Sequence, residues 1–422
     1  MYKKRILDNL LKFRLESKGA VLITGPKWCG KTTTAKQLAK SNINMQDPLL
    51  KEQLIALAKL NPIQLLEGDT PRLIDEWQVA PAIWDMVRQE VDRRGLFNQF
   101  ILTGSSVPAK MSATSHTGTG RIVSLLMRPM SLYESLDSSG EISLKDLFCN
   151  SNYSKTAHSI LTFKDLTYLI CRGGWPIATN HKGQIALQQA IDYYEGLIAH
   201  DIIDVDGVKR SSIRTKALLK AYSRHISTSA TNVVILSDIN KNKSNPIMNI
   251  DTLADYIDAL KKLFVVEELD AWNPNFRSKA TARISPTRHF VDPSIATSAL
   301  SLSPIDLVHD IKTCGLMFES LCVRDLRVYA EAIGGKVYHY LDNTGLEVDA
   351  IIHLNNGKWG AIEVKLGFAE LPKATKNLLR LKSKINTNKM NEPSFLMVLT
   401  GTNYAYKTEE GIWVVPIGAL GP

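Results

Sequence analysis

Gly25-Pro26-Lys27-Trp28-Cys29-Gly30-Lys31-Thr32 is the stretch that decides the fold. It satisfies G-x4-G-K-[S/T] at every fixed position, with a short apolar run (20–24) entering it and a helical pattern (32–40) leaving it. Glycines at 25 and 30 let successive backbone N–H groups converge on a phosphate, and the new helix turns its positive end toward the anion. Residues 25–32, with Thr33 behind them, are therefore expected to cradle the phosphates of ATP. Lys31 would reach the β and γ oxygens, and the Thr32 hydroxyl would ligate Mg²⁺.

Leu73-Ile74-Asp75-Glu76 is the expected partner: apolar residues bury a neighbouring strand and deliver an acidic pair at its carboxyl end. Asp75 would hold the magnesium through water and Glu76 would polarise the attacking water. A further strand, 100–103, ends in hydroxyls, where Thr103 or Ser105 is either a γ-phosphate sensor or part of a plain strand end with a turn. Strands 20–24, 72–75 and 100–103 alternate with helical patterns such as 82–93, which predicts a parallel sheet with helices on both faces, an α/β fold. The small polar stretch 111–120 reads as a mobile loop. Arg121 and Arg128 follow it, each an arginine-finger candidate with an ordinary surface side chain as the alternative. Cys29 lies beside Lys31 at a helix amino terminus, which predicts a reactive thiol shielded by nucleotide; the other reading is a small residue at a variable position.

At 422 residues the chain is too long for one core. The expected division is 1–200, 201–300 and 301–422. Its apolar runs fall far short of the roughly 20 residues of a membrane span, and charges interrupt the amino-terminal apolar pattern. A cytoplasmic protein without a membrane partner is expected. Five scattered cysteines with no CxxC pair argue against disulfides and structural zinc. The net charge of +9 fits either a polyanionic partner or an ordinary solvated surface.

Near the carboxyl end, 347–354 and 358–366 read as two strands joined by Asn355-Asn356-Gly357, a three-residue hairpin loop ending in a left-handed glycine. That loop sets Asp349 opposite Glu363 and Glu347 opposite Lys365, with Val348, Ala350, Ile362 and Val364 on the core side. Opposed carboxylates repel unless something compensates, and a divalent metal is one compensation. Lys365 would then orient a water or stabilise a scissile phosphate. The alternative is an exposed face with a Glu347–Lys365 ion pair. In the middle region, 252–264 reads as a helix capped by Asp251, followed by a strand at 265–269 and a basic stretch (Arg277, Lys279, Arg283, Arg288). This order suggests a winged-helix-like unit on nucleic-acid phosphates, or a packing or dimerisation module. Asp255 and Asp258 on the helix would repel phosphate.

The D…ExK segment Asp349…Glu363-Val-Lys365 resembles the PD-(D/E)xK nuclease fold, in which a preceding helix often adds a glutamate; Glu319 is the candidate. The whole chain resembles a widespread prokaryotic family of AAA-type ATPases with a carboxy-terminal domain of unknown function. The resemblance rests on Gly25-Pro-Lys-Trp-Cys-Gly-Lys-Thr-Thr-Thr34, Leu73-Ile-Asp-Glu-Trp-Gln78, Leu102-Thr-Gly-Ser-Ser106, Arg128-Pro-Met-Ser-Leu-Tyr-Glu134, Gly173-Gly-Trp-Pro176 and the Glu347–Lys365 segment. It implies an AAA-type P-loop domain with a helical lid, a winged-helix-like segment and a restriction-endonuclease-like α/β domain. The expectation is an ATPase with Lys31, Glu76 and Arg121 as catalytic residues, controlling a site of Glu319, Asp349 and Glu363 as metal ligands and Lys365 as catalyst. Nucleic acid is the expected ligand and a homo-oligomer an expected assembly. The rival is a signalling or scaffold ATPase whose carboxy-terminal domain binds a protein or nucleic acid without cutting it.

Overall fold

The computed structural model describes residues 2–105, 118–150, 153–203, 205–241, 247–274, 284–387 and 389–422. Contacts divide the chain into two units: Met1–Pro129 with Ala199–Arg210 and Asp258–Val265, and Met130–Ile198 with Ser211–Ile257 and Val266–Pro422.

The first unit holds five parallel strands, β1 (Ala20–Thr24), β2 (Ser41–Asn44), β3 (Arg72–Asp75), β4 (Phe100–Gly104) and β5 (Ile122–Leu126), in the order β2-β3-β4-β1-β5. Alternate residues of the strands enter two cores. Val21, Ile23, Leu73 and Ile101 pack with Leu7, Leu11 and Leu15 of the helix Ile6–Leu15. Ala20, Leu22, Ile74 and Leu102 pack with Ile83, Trp84 and Val87 of the helix Ala82–Arg94. Covered on both faces, the strands read as nearly continuous apolar runs. β4 lies between β1 and β3, with Thr103 level with Ile23. The helix expected over 32–40 is shorter: only Lys31–Ala35 is α-helical. Residues 106–117, including Ser106 and most of the expected loop, lie outside the described residues.

The second unit holds β6 (Ile142–Ser143), β7 (Ala157–His158), β8 (Gly335–Leu341), β9 (Glu347–Leu354), β10 (Trp359–Lys365), β11 (Phe395–Thr400), β12 (Tyr404–Lys407), β13 (Trp413–Pro416) and β14 (Leu420–Gly421). Seven form one sheet, β7-β12-β13-β11-β10-β9-β8, and β6 pairs with β14. The helix Ile311–Ala332 leads into the antiparallel run β8-β9-β10, and the helix Leu371–Lys384 crosses over to β11, parallel to β10. The hairpin register is the expected one, with Ala350 opposite Ile362 and His353 opposite Trp359.

The middle region runs through helices Ser212–Arg224, Asn232–Lys241 and Ile250–Lys262. The last begins two residues earlier than read, and its cap is Asn249, whose Oδ1 accepts from the Thr252 N–H at 2.8 Å, so Asp251 lies in the first turn instead. The strand expected at 265–269 is reduced to isolated bridges, Val266 to Phe290 and Leu269 to Thr287. Arg277, Lys279 and Arg283 lie outside the described residues. Arg288 is not a phosphate contact: it is buried, paired with Glu268 and donating to the Ala230 carbonyl at 2.8 Å. No helix among the described residues is long and apolar enough to cross a membrane.

One buried ion group ties distant segments of this unit together. Arg324 donates to Asp292 Oδ2 at 2.9 Å and pairs with Asp325 Oδ1 at 2.7 Å, all three side chains being almost fully buried. Asp292 accepts from the Gly174 N–H and the Ser294 hydroxyl, Ser294 accepts from the Trp175 indole, and Asp325 accepts from the Leu132 N–H. Gly173 has φ 70°, and a Cβ there would sit 2.4 Å from Ser294 Oγ. The segments Arg128–Glu134 and Gly173–Pro176 thus serve this packing. Arg324→Met strands two carboxylates in the core and should cost about 3–5 kcal/mol. Urea denaturation followed by tryptophan fluorescence checks this; an unchanged midpoint contradicts it.

Candidate functional site

The P-loop leaves the carboxyl end of β1 in a conformation that its sequence alone permits. Gly25 (φ 145°) and Gly30 (φ 102°) occupy backbone regions that favour glycine, and a Cβ on Gly25 would meet the Met127 carbonyl at 2.1 Å. Trp28 also takes positive φ, at 64°. Lys31 is buried and folds back on its own loop, donating to the Gly25 and Pro26 carbonyls at 3.0 and 2.8 Å. Thr33 is exposed in the first turn of the helix.

The Thr32 hydroxyl donates to Asp75 Oδ1 at 2.7 Å, and the Thr103 hydroxyl donates to the same oxygen. The sheet order explains the convergence, because β4 brings Thr103 between the P-loop strand and the Asp75 strand. Glu76 sits just past β3 at φ 55°, a strained position for a non-glycine residue. Its N–H donates to Thr103 Oγ1 at 3.2 Å, while its carboxylate accepts from Gln78 Nε2 and from the Ser105 hydroxyl. Gln78 and Ser105 therefore orient Glu76. Gln78 carried a sequence signal, two residues beyond the acidic pair.

Arg5 was not legible as part of the site. Its buried guanidinium donates to the Cys29 carbonyl and to the Arg128 carbonyl, each at 2.8 Å, bracing the P-loop against the segment after β5. Lys27 pairs with Asp201 at 2.5 Å. Cys29 is wholly buried in the core with Leu7 and Leu11, so the expected reactive thiol is not presented to solvent. Arg121 is also not where an arginine finger in its own chain must be. It precedes β5, and its carbonyl accepts from the Ala20 N–H at the amino end of β1. The P-loop lies at the other end, about 16 Å along a five-residue strand, and the Arg121 guanidinium pairs with Asp92 at 2.8 Å. Arg128, after β5, lies at the P-loop end.

A second constellation occupies β9 and β10. Lys365 Nζ lies 2.8 Å from Asp349 Oδ2 and 2.7 Å from Glu363 Oε2. Asp349 Oδ2 also accepts from the Val364 N–H at 2.7 Å, and Glu363 Oε1 accepts from Asn377 of the helix Leu371–Lys384 at 3.0 Å. The acidic face is not the exposed face of the alternative reading, because Glu363 is 2% exposed beside the buried Ala361 and Trp359. Burial, and then the Asp349 charge, push the Glu363 carboxyl up to about 7. Burial and the same neighbour hold Glu319, on the helix Ile311–Ala332, well above the usual carboxylate range. Burial opposes the Lys365 charge, but Asp349 and Glu363 outweigh it and raise its pKa. Among the described residues no group of three or more His, Cys, Asp or Glu is gathered closely enough to hold a metal ion. The ammonium of Lys365 compensates the opposed carboxylates instead. Asn377 was missed from sequence, although a polar residue beside the apolar stripe of that helix was a usable signal.

Comparison with known proteins assigns the parts. Residues 17–136 match the family model described as AAA domain. Residues 163–306 and 314–420 match two domains of unknown function, DUF8612 and DUF4143. No curated protein matches the chain. Among solved structures, it is similar to the Walker-type ATPase PABY2304 of Pyrococcus abyssi, at 15% identity and TM-score 0.42, over 69% of this chain and 94% of that one. It is also similar to the ORC2 protein of Aeropyrum pernix, at 12% identity and TM-score 0.29, over 62% and 84%. Residues 17–136 thus form an AAA-type domain, with the P-loop at 25–32.

Proposed function

We propose that this protein hydrolyses ATP and that its nucleotide state governs a carboxy-terminal site acting on nucleic acid. The observation that carries the first part is the convergence of Thr32 and Thr103 on Asp75, with Glu76 held beside them by Gln78 and Ser105. These hard oxygen donors suit Mg²⁺, which Thr32 and Asp75 would hold and which supplies charge neutralisation for the phosphates when bound. Lys31 leaves the Gly25 and Pro26 carbonyls to bind phosphate oxygens. Glu76 positions the attacking water, and Thr103 reads the γ-phosphate. Arg128 is the finger candidate within the chain, and Arg121 one only on a neighbouring copy in a homo-oligomer. The cytoplasm is the proposed compartment.

For the second site, the order helix, three antiparallel strands, helix, parallel strand supports a PD-(D/E)xK-like reading. As they stand, Asp349 and Glu363 are bridged by Lys365; displacement of that ammonium would free them, with Glu319 drawn in, to hold a divalent cation that activates a phosphodiester. Lys365 would exchange its carboxylate partners for the phosphate. One observation favours the rival binding platform: Lys365 already occupies the place between the two carboxylates and pairs with each.

Glu76→Gln should retain ATP binding and lower kcat for ATP hydrolysis by about 10²-fold or more, whereas Lys31→Ala should lose binding of a fluorescent ATP analogue. Hydrolysis at the wild-type rate in Glu76→Gln would remove Glu76 from the chemistry. Separately, wild-type protein with Mn²⁺ should cut single- or double-stranded DNA or RNA, Asp349→Ala should abolish the cutting, and Lys31→Ala should alter its ATP dependence. ATP hydrolysis without any cleavage selects the binding platform.

A further inference from the structure

The helix Leu371–Lys384 carries Lys373, Lys376, Arg380, Lys382 and Lys384 and no acidic residue. At about 100° per residue, Lys373, Lys376, Arg380 and Lys384 fall within one arc of roughly 80°, while Lys382 points elsewhere. All are exposed. Ala374, Leu378 and Leu381 form the buried face. Asn377 lies between that face and the basic stripe, and it is Asn377 that donates to Glu363. The Asp349–Glu363–Lys365 site is therefore on the stripe's side of the helix.

The charges of the stripe are mostly uncompensated. Among the described residues Lys373 and Lys376 make no hydrogen bond or ion pair. Arg380 donates to a neutral hydroxyl, Thr344 Oγ1, at 3.1 Å, and only Lys384 meets a carboxylate, Asp342, at 2.5 Å. Like charges three and four residues apart repel on a helix surface, so the row weakens its own helix unless an anion faces it. From Lys373 to Arg380 it extends about 10 Å, and with the reach of the side chains it can meet roughly two or three successive phosphates of one strand.

We propose that this stripe is the track of a nucleic-acid strand, whose phosphates it leads to Asp349, Glu363 and Lys365. The track rests on the reading of that site as one that handles a phosphodiester, and it names the surface that delivers one. Charge complementarity with a regular row of anions selects the strand over an acidic peptide or an anionic membrane.

The test is fluorescence anisotropy of labelled single- and double-stranded oligonucleotides with the full chain in EDTA, across a salt series. The triple substitution Lys373→Glu, Lys376→Glu, Arg380→Glu is compared with the control Lys51→Glu, Lys59→Glu, Lys164→Glu. The stripe variant should bind at least tenfold more weakly and flatten the plot of log affinity against log salt by about 2–3, from two or three lost phosphate contacts. The control should match the wild type. An unchanged urea-denaturation midpoint by tryptophan fluorescence shows that the variant is folded; if it falls, Lys373→Gln, Lys376→Gln, Arg380→Gln repeats the comparison. No binding by the wild type, equal binding by the stripe variant, or better competition by polyglutamate or phosphatidylserine vesicles overturns the track. Cleavage in Mn²⁺ separates the two readings. Undiminished cutting by the stripe variant sinks the track and keeps the nuclease, while binding along the stripe without cutting keeps the track and sinks the nuclease.

Discussion

Arg324 places a full positive charge where water does not reach, and much of the second unit is arranged to make that tolerable. Burying a charge is costly unless it is paired and hydrogen-bonded. Asp292 and Asp325 supply the pairing, and their remaining oxygens are taken by Gly174, Ser294 and Leu132. The arginine thereby fixes segments separated by up to 193 positions, since Leu132 meets Asp325. Two motifs that look like site sequences, Gly173–Pro176 and Arg128–Glu134, are explained by this constraint. Both bring backbone N–H groups to buried carboxylates, and the glycines are there because side chains would collide.

The same physics governs the carboxy-terminal site with a different outcome. Asp349 and Glu363 face one another at the open end of the β9–β10 hairpin, and Lys365 lies between them. It does so from within the chain, two residues beyond Glu363 along β10 on the same face. Glu363, with its pKa pushed up to about 7 by burial and by Asp349, is a group whose charge depends on what stands beside it. A site of this kind is responsive: whatever draws Lys365 away leaves two carboxylates in need of a cation.

The P-loop was legible because its pattern is local. A P-loop needs glycines and a lysine at fixed spacing, and Gly25, Gly30, Lys31 and Thr32 supply them within eight residues. Asp75 and Glu76 stand out at the end of an apolar run. The β9–β10 register was legible for the same reason, since a three-residue loop and the period of two leave one pairing that buries Val348, Ala350, Ile362 and Val364 together. Arg5 and Asn377 were not, because each acts through a partner far along the chain. Arg121 misled because sequence proximity to a loop says nothing about which end of a parallel strand it precedes.

By itself, then, the sequence determined the P-loop, the acidic pair behind it, the alternation that makes a parallel sheet, and the facing of Asp349 and Glu363. All of these depend on neighbours within one element or one hairpin. Tertiary structure alone decided that Thr103 reaches Asp75, that Cys29 and Arg288 are buried, that Arg121 stands at the opposite end of the strands from the P-loop, and that Lys365 bridges both carboxylates. Those outcomes follow from strand order and from the cost of leaving charges unpaired away from water, and neither is written in any short stretch of the chain.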